Sequence, residues 1–329
     1  MKALIKIILL SGVGAVLILD SPTAGAAAAE SVQLCLRTVI PSILPIMVLS
    51  MLMSASMNAF RFRALDPIAR LCRLPSGTGS FLALGILGGY PAGAQCISHA
   101  YERGQLSKDA ARRMIILCNN CGPAFLFGMM ARSFSNSAMA WKIWLVCICG
   151  SILTALILPG GGGTFKQSSP GYSESPVELM DRALRAMAQI CGWIIVFRVV
   201  LTFVDRWFLW RMPGWLRVTL CGLTELTNGC VALGQIPHDG LRFVLSCGML
   251  SFGGLCVTMQ TLSVIHPSLD RRMYFPGKVL HGCISAILAC ILYRVGWHIP
   301  LIAGTIGVIA VVFLGKIVKN SRFPEKVGV

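Results

Sequence analysis

Charge is scarce in this 329-residue sequence: Asp, Glu, Lys and Arg make up 13% of it, against 55% hydrophobic residues. A soluble globular chain carries about 25% charged residues, which excludes a water-solvated fold. Acidic residues are the scarcest, 13 against 29 Lys and Arg, for a formal charge of +16. That surplus would suit nucleic acid, but no groove-reading or base-stacking motif accompanies it, so no nucleic-acid partner is expected. Catalytic constellations are missing too. There is no metal triad, nucleophile elbow, phosphate loop or pair of carboxylates, so neither an enzyme nor a resident cofactor is expected. The fourteen cysteines do not change this. Most, such as Cys147, Cys149 and Cys290, lie in apolar stretches, where a thiol behaves as a small hydrophobe. The C-x-x-C of Cys118 and Cys121 has neither a zinc-spaced partner pair nor the βαβ context of a redox motif.

Long apolar runs are what the sequence has instead. Ala3 to Leu19 reads as an uncleaved first helix rather than a signal peptide. Further runs cover Ser31 to Met57, interrupted by Pro41 and Pro45, then Met114 to Ala131, Trp141 to Leu158 and Ala188 to Val204. Leu241 to Ile265, Val279 to Tyr293 and Pro300 to Leu314 complete the set. Most of them approach or reach the roughly 17–25 residues of a bilayer-crossing helix. The basic loops fall into one register: Arg61, Arg63, Arg70 and Arg73; Arg103, Lys108, Arg112 and Arg113; Arg271, Arg272 and Lys278; and the tail from Lys316 to Lys326. All are expected to be cytoplasmic, as are both termini, with Trp207, Trp210 and Trp215 in an outer aromatic belt.

Two segments are too broken to cross. Ser76 to Tyr101 contains Gly88-Gly89-Tyr90-Pro91-Ala92-Gly93, and Val218 to Gln235 contains Gly222, Glu225, Thr227, Asn228 and Gly229. Glycine and proline at that density unwind a helix, and each segment is expected to be a re-entrant hairpin. The expectation is an all-α polytopic membrane protein with about eight spanning helices and two re-entrant hairpins in two inverted-topology repeats. The divisions are 1–30 (N-terminal helix), 31–159 (first repeat), 160–187 (a flexible cytoplasmic linker), 188–296 (second repeat) and 297–329 (last helix and basic tail).

A second break repeats as well, at Asn119-Asn120-Cys121-Gly122-Pro123 and at Ser251-Phe252-Gly253-Gly254-Leu255. Paired interruptions in inverted halves point to a transporter's substrate site; the alternative is that the glycines only permit close helix packing. The candidate substrate-binding residues are Gly89, Tyr90, Gln95, Asn119, Asn120, Glu225, Asn228, Ser251 and Gln260. Amides offer donors and acceptors to ring nitrogens and carboxylates, while Tyr90 and Phe252 are candidates to stack on a ring. Glu225 is a carboxylate at a membrane break, read either as a relay for a coupling cation, Na+ or H+, or as an acceptor for half-helix N–H groups. Arg198 and Arg37 are candidate anion contacts, with snorkelling to the interface as the alternative. His281 reads as a buried, hydrogen-bonded histidine.

The stretches GGYPAGAQ (Gly88–Gln95), LSKDAARRMIILCNNCGP (Leu106–Pro123), GLTELTNG (Gly222–Gly229) and SFGGLCVTMQ (Ser251–Gln260) resemble the YlbJ family of sporulation integral membrane proteins. The resemblance runs from about Pro41 to Val264. It implies a nucleoside-recognition (Gate) domain like that of concentrative nucleoside transporters, and a role in moving dipicolinate during spore formation. Cys121 departs from the Ser or Thr usual in the family. The function expected is transport of a small polar or anionic aromatic molecule, dipicolinate first. A cation-coupled nucleoside transporter and a non-transporting scaffold or receptor are the alternatives. The expected partners are that small molecule and the lipid bilayer, with homo-oligomerisation left open.

Overall fold

In the computed structural model, the residues described are 2–56, 63–130, 134, 138–166, 175–269 and 271–295. The expected last span, Pro300 to Leu314, and the basic tail lie outside them. Helices α1 (Lys2–Leu19), α2 (Ser21–Leu34) and α3 (Ile40–Ser56) lead in, the last two joined by a π-helical turn at Cys35–Val39. The short α4 (Asp66–Leu71) precedes the hairpin of α5 (Gly79–Gly88) and α6 (Ala92–Glu102). There follow α7 (Lys108–Cys118), α8 (Pro123–Met129) and α9 (Ala138–Ile157). The second half has the long α10 (Pro176–Trp207), then the hairpin of α11 (Gly214–Thr224) and α12 (Leu226–Ala232). It closes with α13 (Asp239–Phe252), α14 (Gly254–Val264) and α15 (Tyr274–Val295).

Among the described residues, five stretches are long and apolar enough to cross a membrane: Ser21–Met53, Ala138–Ile157, Pro176–Trp207, Asp239–Val264 and Tyr274–Arg294. Their exteriors are apolar. On α15, Ile287 and Ile291 are 62% and 52% exposed, whereas Lys278, His281 and Ser285 on the inner face are fully buried. That is the reverse of a soluble amphipathic helix and suits lipid outside with polar groups inside. Trp207, Trp210 and Trp215 are half exposed, as an interfacial belt requires. The protein is a polytopic α-helical membrane protein.

Lipid is as apolar as leucine, so helix association rests on close packing, and small residues supply it. Gly85 and Gly93 are eight residues apart, which a continuous helix would separate by about 12 Å. Here a Cβ on Gly93 would lie 3.2 Å from the Gly85 Cα, so the chain has folded back on itself. Gly222 and Gly229 meet in the same way, a Cβ on Gly229 falling 2.1 Å from the Gly222 Cα.

Four local expectations are corrected. Residues 176–187 are not linker but the first turns of α10. Ser175 accepts from the Glu178 N–H and Glu178 accepts from the Ser175 N–H, a capping box that starts the helix early. The glycine run before it is pinned rather than loose: Gly162 N–H donates to Arg73 O at 2.8 Å and Lys166 N–H to Gln105 O at 2.8 Å. Lys278 lies not in a basic loop but inside α15, and Arg113 is not a free loop charge. The Arg113 guanidinium is buried and donates to Cys72 O at 2.7 Å, to Leu158 O and Gly160 O at 3.2 and 3.0 Å, and to Ala155 O. It thereby satisfies carbonyls that the C-terminus of α9 leaves unpaired.

Candidate functional site

Each hairpin tip rests on the break of a discontinuous helix. The first tip turns through Gly89, whose φ of +69° favours glycine. Tyr90 N–H donates to Asn120 O at 2.7 Å, and a Cβ on Gly89 would lie 2.6 Å from Gly122 N. Side chains larger than hydrogen would push the tip off the break between α7 and α8. Beneath the tip, the hairpin glycines Gly85 and Gly93 receive Cys118, the last residue before that break. The C-x-x-C pair therefore packs the hairpin, with both thiols buried and free.

The second half repeats the device. A Cβ on Gly254, at the break between α13 and α14, would lie 2.9 Å from Gly222 O and 3.4 Å from Leu223 O. The hairpin glycines Gly222 and Gly229 receive Met249, just before that break. At this tip Glu225 caps α12: Oε1 accepts from Thr227 N–H at 3.1 Å, and Oε2 from Asn228 N–H at 2.7 Å and from its side-chain amide at 2.5 Å. The carboxylate is 1% exposed and held by those donors, so the N-terminus of α12 is filled by the protein's own anion.

The two tips meet. Tyr90 and Pro91 from the first and Glu225, Leu226 and Thr227 from the second line one narrow cleft, together with Phe125, Gln260 and Val257. Val39 and Ile43 close it from the π-helical turn and the start of α3, with Ile190 and Ile194 from α10. In this conformation the cleft is nearly closed, with a free volume of about 20 Å³, room for a water molecule. Tyr90 and Phe125 form a tilted aromatic wall with centroids 6.2 Å apart. The Tyr90 hydroxyl, beside Cys121, has no oxygen or nitrogen partner among the described residues. Helix α6 begins at this cleft, with Pro91 as its N-cap residue and no side-chain cap.

Asn228, one turn along α12 from Glu225, lines a second and wider cavity of about 1,020 Å³ counting its open mouth. Arg198 and Arg217 line it too, each already paired: Arg198 with Glu30 at 2.9 Å and Arg217 with Asp205 through two bonds of 2.7 and 2.5 Å.

Of the candidate residues, Tyr90, Glu225 and Gln260 come together in the cleft, with Gly89 shaping the tip behind Tyr90. Asn228 and Arg198 belong to the wider cavity. Asn119, Asn120 and Ser251 lie behind the breaks instead. Asn119 donates to Thr261 Oγ1 and Tyr274 OH at 2.8 and 2.6 Å, Asn120 to Leu117 O at 2.6 Å, and Ser251 to Ser285 Oγ at 2.8 Å. Gln95 sits on α6 with its Oε1 buried and, among the described residues, unpartnered, Phe252 packs edge-on to Phe275, and Arg37 is exposed on the π-helical turn. Phe125, Thr227 and Val39 were not legible as lining residues: they occupy ordinary apolar runs or stand beside a stronger signal.

A relative was found among known proteins, the sporulation integral membrane protein YlbJ of Bacillus subtilis. The two are 24% identical over 313 aligned residues, covering 80% of this chain and 77% of that protein. This chain is similar to a sporulation integral membrane protein. No protein-family model matches it, and no solved structure does. The likeness spans most of the chain, so it extends beyond the tips and breaks to the helices that carry them.

Proposed function

We propose that this protein transports a small polar or anionic aromatic molecule across a membrane of a spore-forming cell, with dipicolinate as the substrate. The observation that carries the reading is the meeting of two unwound hairpin tips at one mostly apolar cleft into which Glu225, Thr227 and Gln260 bring polar groups. Interrupted helices expose backbone polar groups at a cost that a scaffold has no reason to bear, whereas a solute-binding site uses them. Tyr90 and Phe125 offer ring faces, the Gln260 amide offers a donor and an acceptor, and the uncapped start of α6 favours a carboxylate.

The repeated tip-on-break device supports two inverted repeats. In each half a hairpin glycine pair receives a residue from the last turn before a break, Cys118 or Met249, and the break's own glycine abuts the tip. With α1 and the α7–α8 pair counted as crossings beside the five long stretches, the described residues supply seven of the eight expected spans and two re-entrant hairpins. The cleft and the wider cavity then stand as inner and outer parts of one path, separated by the first turn of α12. The family likeness brings sporulation into the reading.

The test is uptake of radiolabelled dipicolinate and uridine into proteoliposomes containing purified protein. Saturable dipicolinate uptake, absent from protein-free vesicles, is the expected result. Uridine uptake alone would make the chain a nucleoside transporter, and no uptake of either by folded protein would leave the scaffold reading.

A further inference from the structure

Helix α15 buries a lysine at the break between α7 and α8, and the cleft does not explain it. Lys278 has no exposed surface. Its Nζ donates to Asn119 O at 2.9 Å, in the unwound step between α7 and α8, and lies 3.2 Å from His281 Nδ1. His281 Nε2 is 2.8 Å from Cys147 O, which can only accept. The ring proton therefore sits on Nε2, and Nδ1 presents a lone pair to Lys278.

A carbonyl freed by a helix break beside a nitrogen lone pair is a set of acceptors for a cation, and here the cation is tethered to the protein. Among the described residues no carboxylate pairs with it, so an ammonium at this position would have no counter-ion. In a membrane interior that arrangement is costly and marks function. The groups facing Lys278 are the Cys147 thiol from α9 and the Cys121 thiol from the break. Cys247 of α13 lies behind Cys147, and Tyr274 approaches through Asn119. A neutral amine retains two N–H groups, enough for both Asn119 O and His281 Nδ1, while an ammonium has three. The cluster can thus gain or lose one proton at Nζ without breaking a hydrogen bond.

We propose that Lys278, held between the Asn119 carbonyl and His281, is a proton-binding site that occupies the place of a metal cation, so that the proton and not sodium couples to transport. The step is balanced: a proton adds to the Nζ lone pair on one side of the membrane and leaves from it on the other, with nothing oxidised or reduced. The proposal deepens the transport reading and rests on it for coupling, but the proton site itself can be tested without flux.

Two measurements test it. In proteoliposomes, an imposed pH gradient should drive accumulation of labelled dipicolinate above equilibrium, and a sodium gradient should not. Lys278→Met should lose accumulation while retaining exchange of labelled for unlabelled solute. In detergent, the melting temperature of wild type scanned against pH should contain a titration step that Lys278→Met lacks, and replacing sodium by choline should shift neither protein. Lys278→Gln, which keeps a donor for both acceptors, serves if the Met variant does not fold. Accumulation driven by sodium, pH-driven accumulation in the variants, or a titration step unchanged in them would overturn the proposal. If no solute moves under any condition, the transport reading fails and the melting step alone decides: its loss in the variants upholds the proton site, and its persistence refutes it.

Discussion

Substituting Gly93 by alanine tests the hairpin geometry on which the site depends. The added Cβ would lie 2.0 Å from the Cys118 carbonyl oxygen and 2.9 Å from its carbon. Relief to an ordinary contact of about 3.4 Å requires α6 and α7 to separate by about 1.4 Å, and both obstructing atoms are backbone. Overpacking of this kind costs about 1–3 kcal/mol or more. Alanine's helix propensity returns up to about 1 kcal/mol, leaving a net loss near 2 kcal/mol. Gly192 is the control: it lies in α10 with no atom within 4 Å of an added Cβ. Gly192→Ala should therefore be neutral or stabilising by up to about 1 kcal/mol. The assay is thermal unfolding of both variants in one detergent. Gly93→Ala should melt roughly 4–8 °C below wild type. If it melted with Gly192→Ala or above, α5 and α6 would not be folded against Cys118 as described.

Arg113→Met should cost about 3 kcal/mol in the same melting assay, because it strands the carbonyls at the end of α9 that the guanidinium satisfies; a change under about 0.5 kcal/mol would contradict that role. Ser175→Ala removes half of the capping box and should destabilise the start of α10 by about 1 kcal/mol, seen as faster amide exchange at residues 177–180 with the core unchanged. Glu225→Gln retains one acceptor but sets an amide N–H against Asn228, so melting should fall by about 1–2 kcal/mol. Dipicolinate uptake should fall at least tenfold with it, and full uptake in the folded variant would remove Glu225 from the site. Glu30→Gln breaks an ion pair whose side chains are 32% and 66% exposed, so stability should change by under about 1 kcal/mol; a larger loss in melting would show that the pair is shielded from solvent.

The breaks were legible because their chemistry is local. Glycine and proline at 88–93, the Asn119–Pro123 run and Gly253-Gly254 each unwind a helix whatever surrounds them, and the structure interrupts its helices at those places. The membrane class was legible from composition alone. Which polar residues share a cavity was not, because that depends on how segments far apart in sequence meet. Asn119 and Asn120 stood beside the strongest signal yet turn towards Thr261 and Leu117, away from the cleft. Phe125 and Thr227 reach the cleft through the packing of the tips. Lys278 and Arg113 read as loop charges because positive residues near span ends ordinarily are; their burial is fixed by acceptors on other helices. The Ser175–Glu178 capping box was present in the sequence and was hidden by the polar, glycine-rich run before it.

The central claim is that solute passes between the two hairpin tips, and the most direct measurement is dipicolinate uptake by Gln260→Leu. The substitution keeps the volume of a buried side chain in the cleft and removes its only polar group. The account predicts wild-type melting within about 1 kcal/mol, with uptake lost or its KM raised at least tenfold. Unchanged uptake kinetics in the folded variant would contradict the account and place the path elsewhere in the bundle.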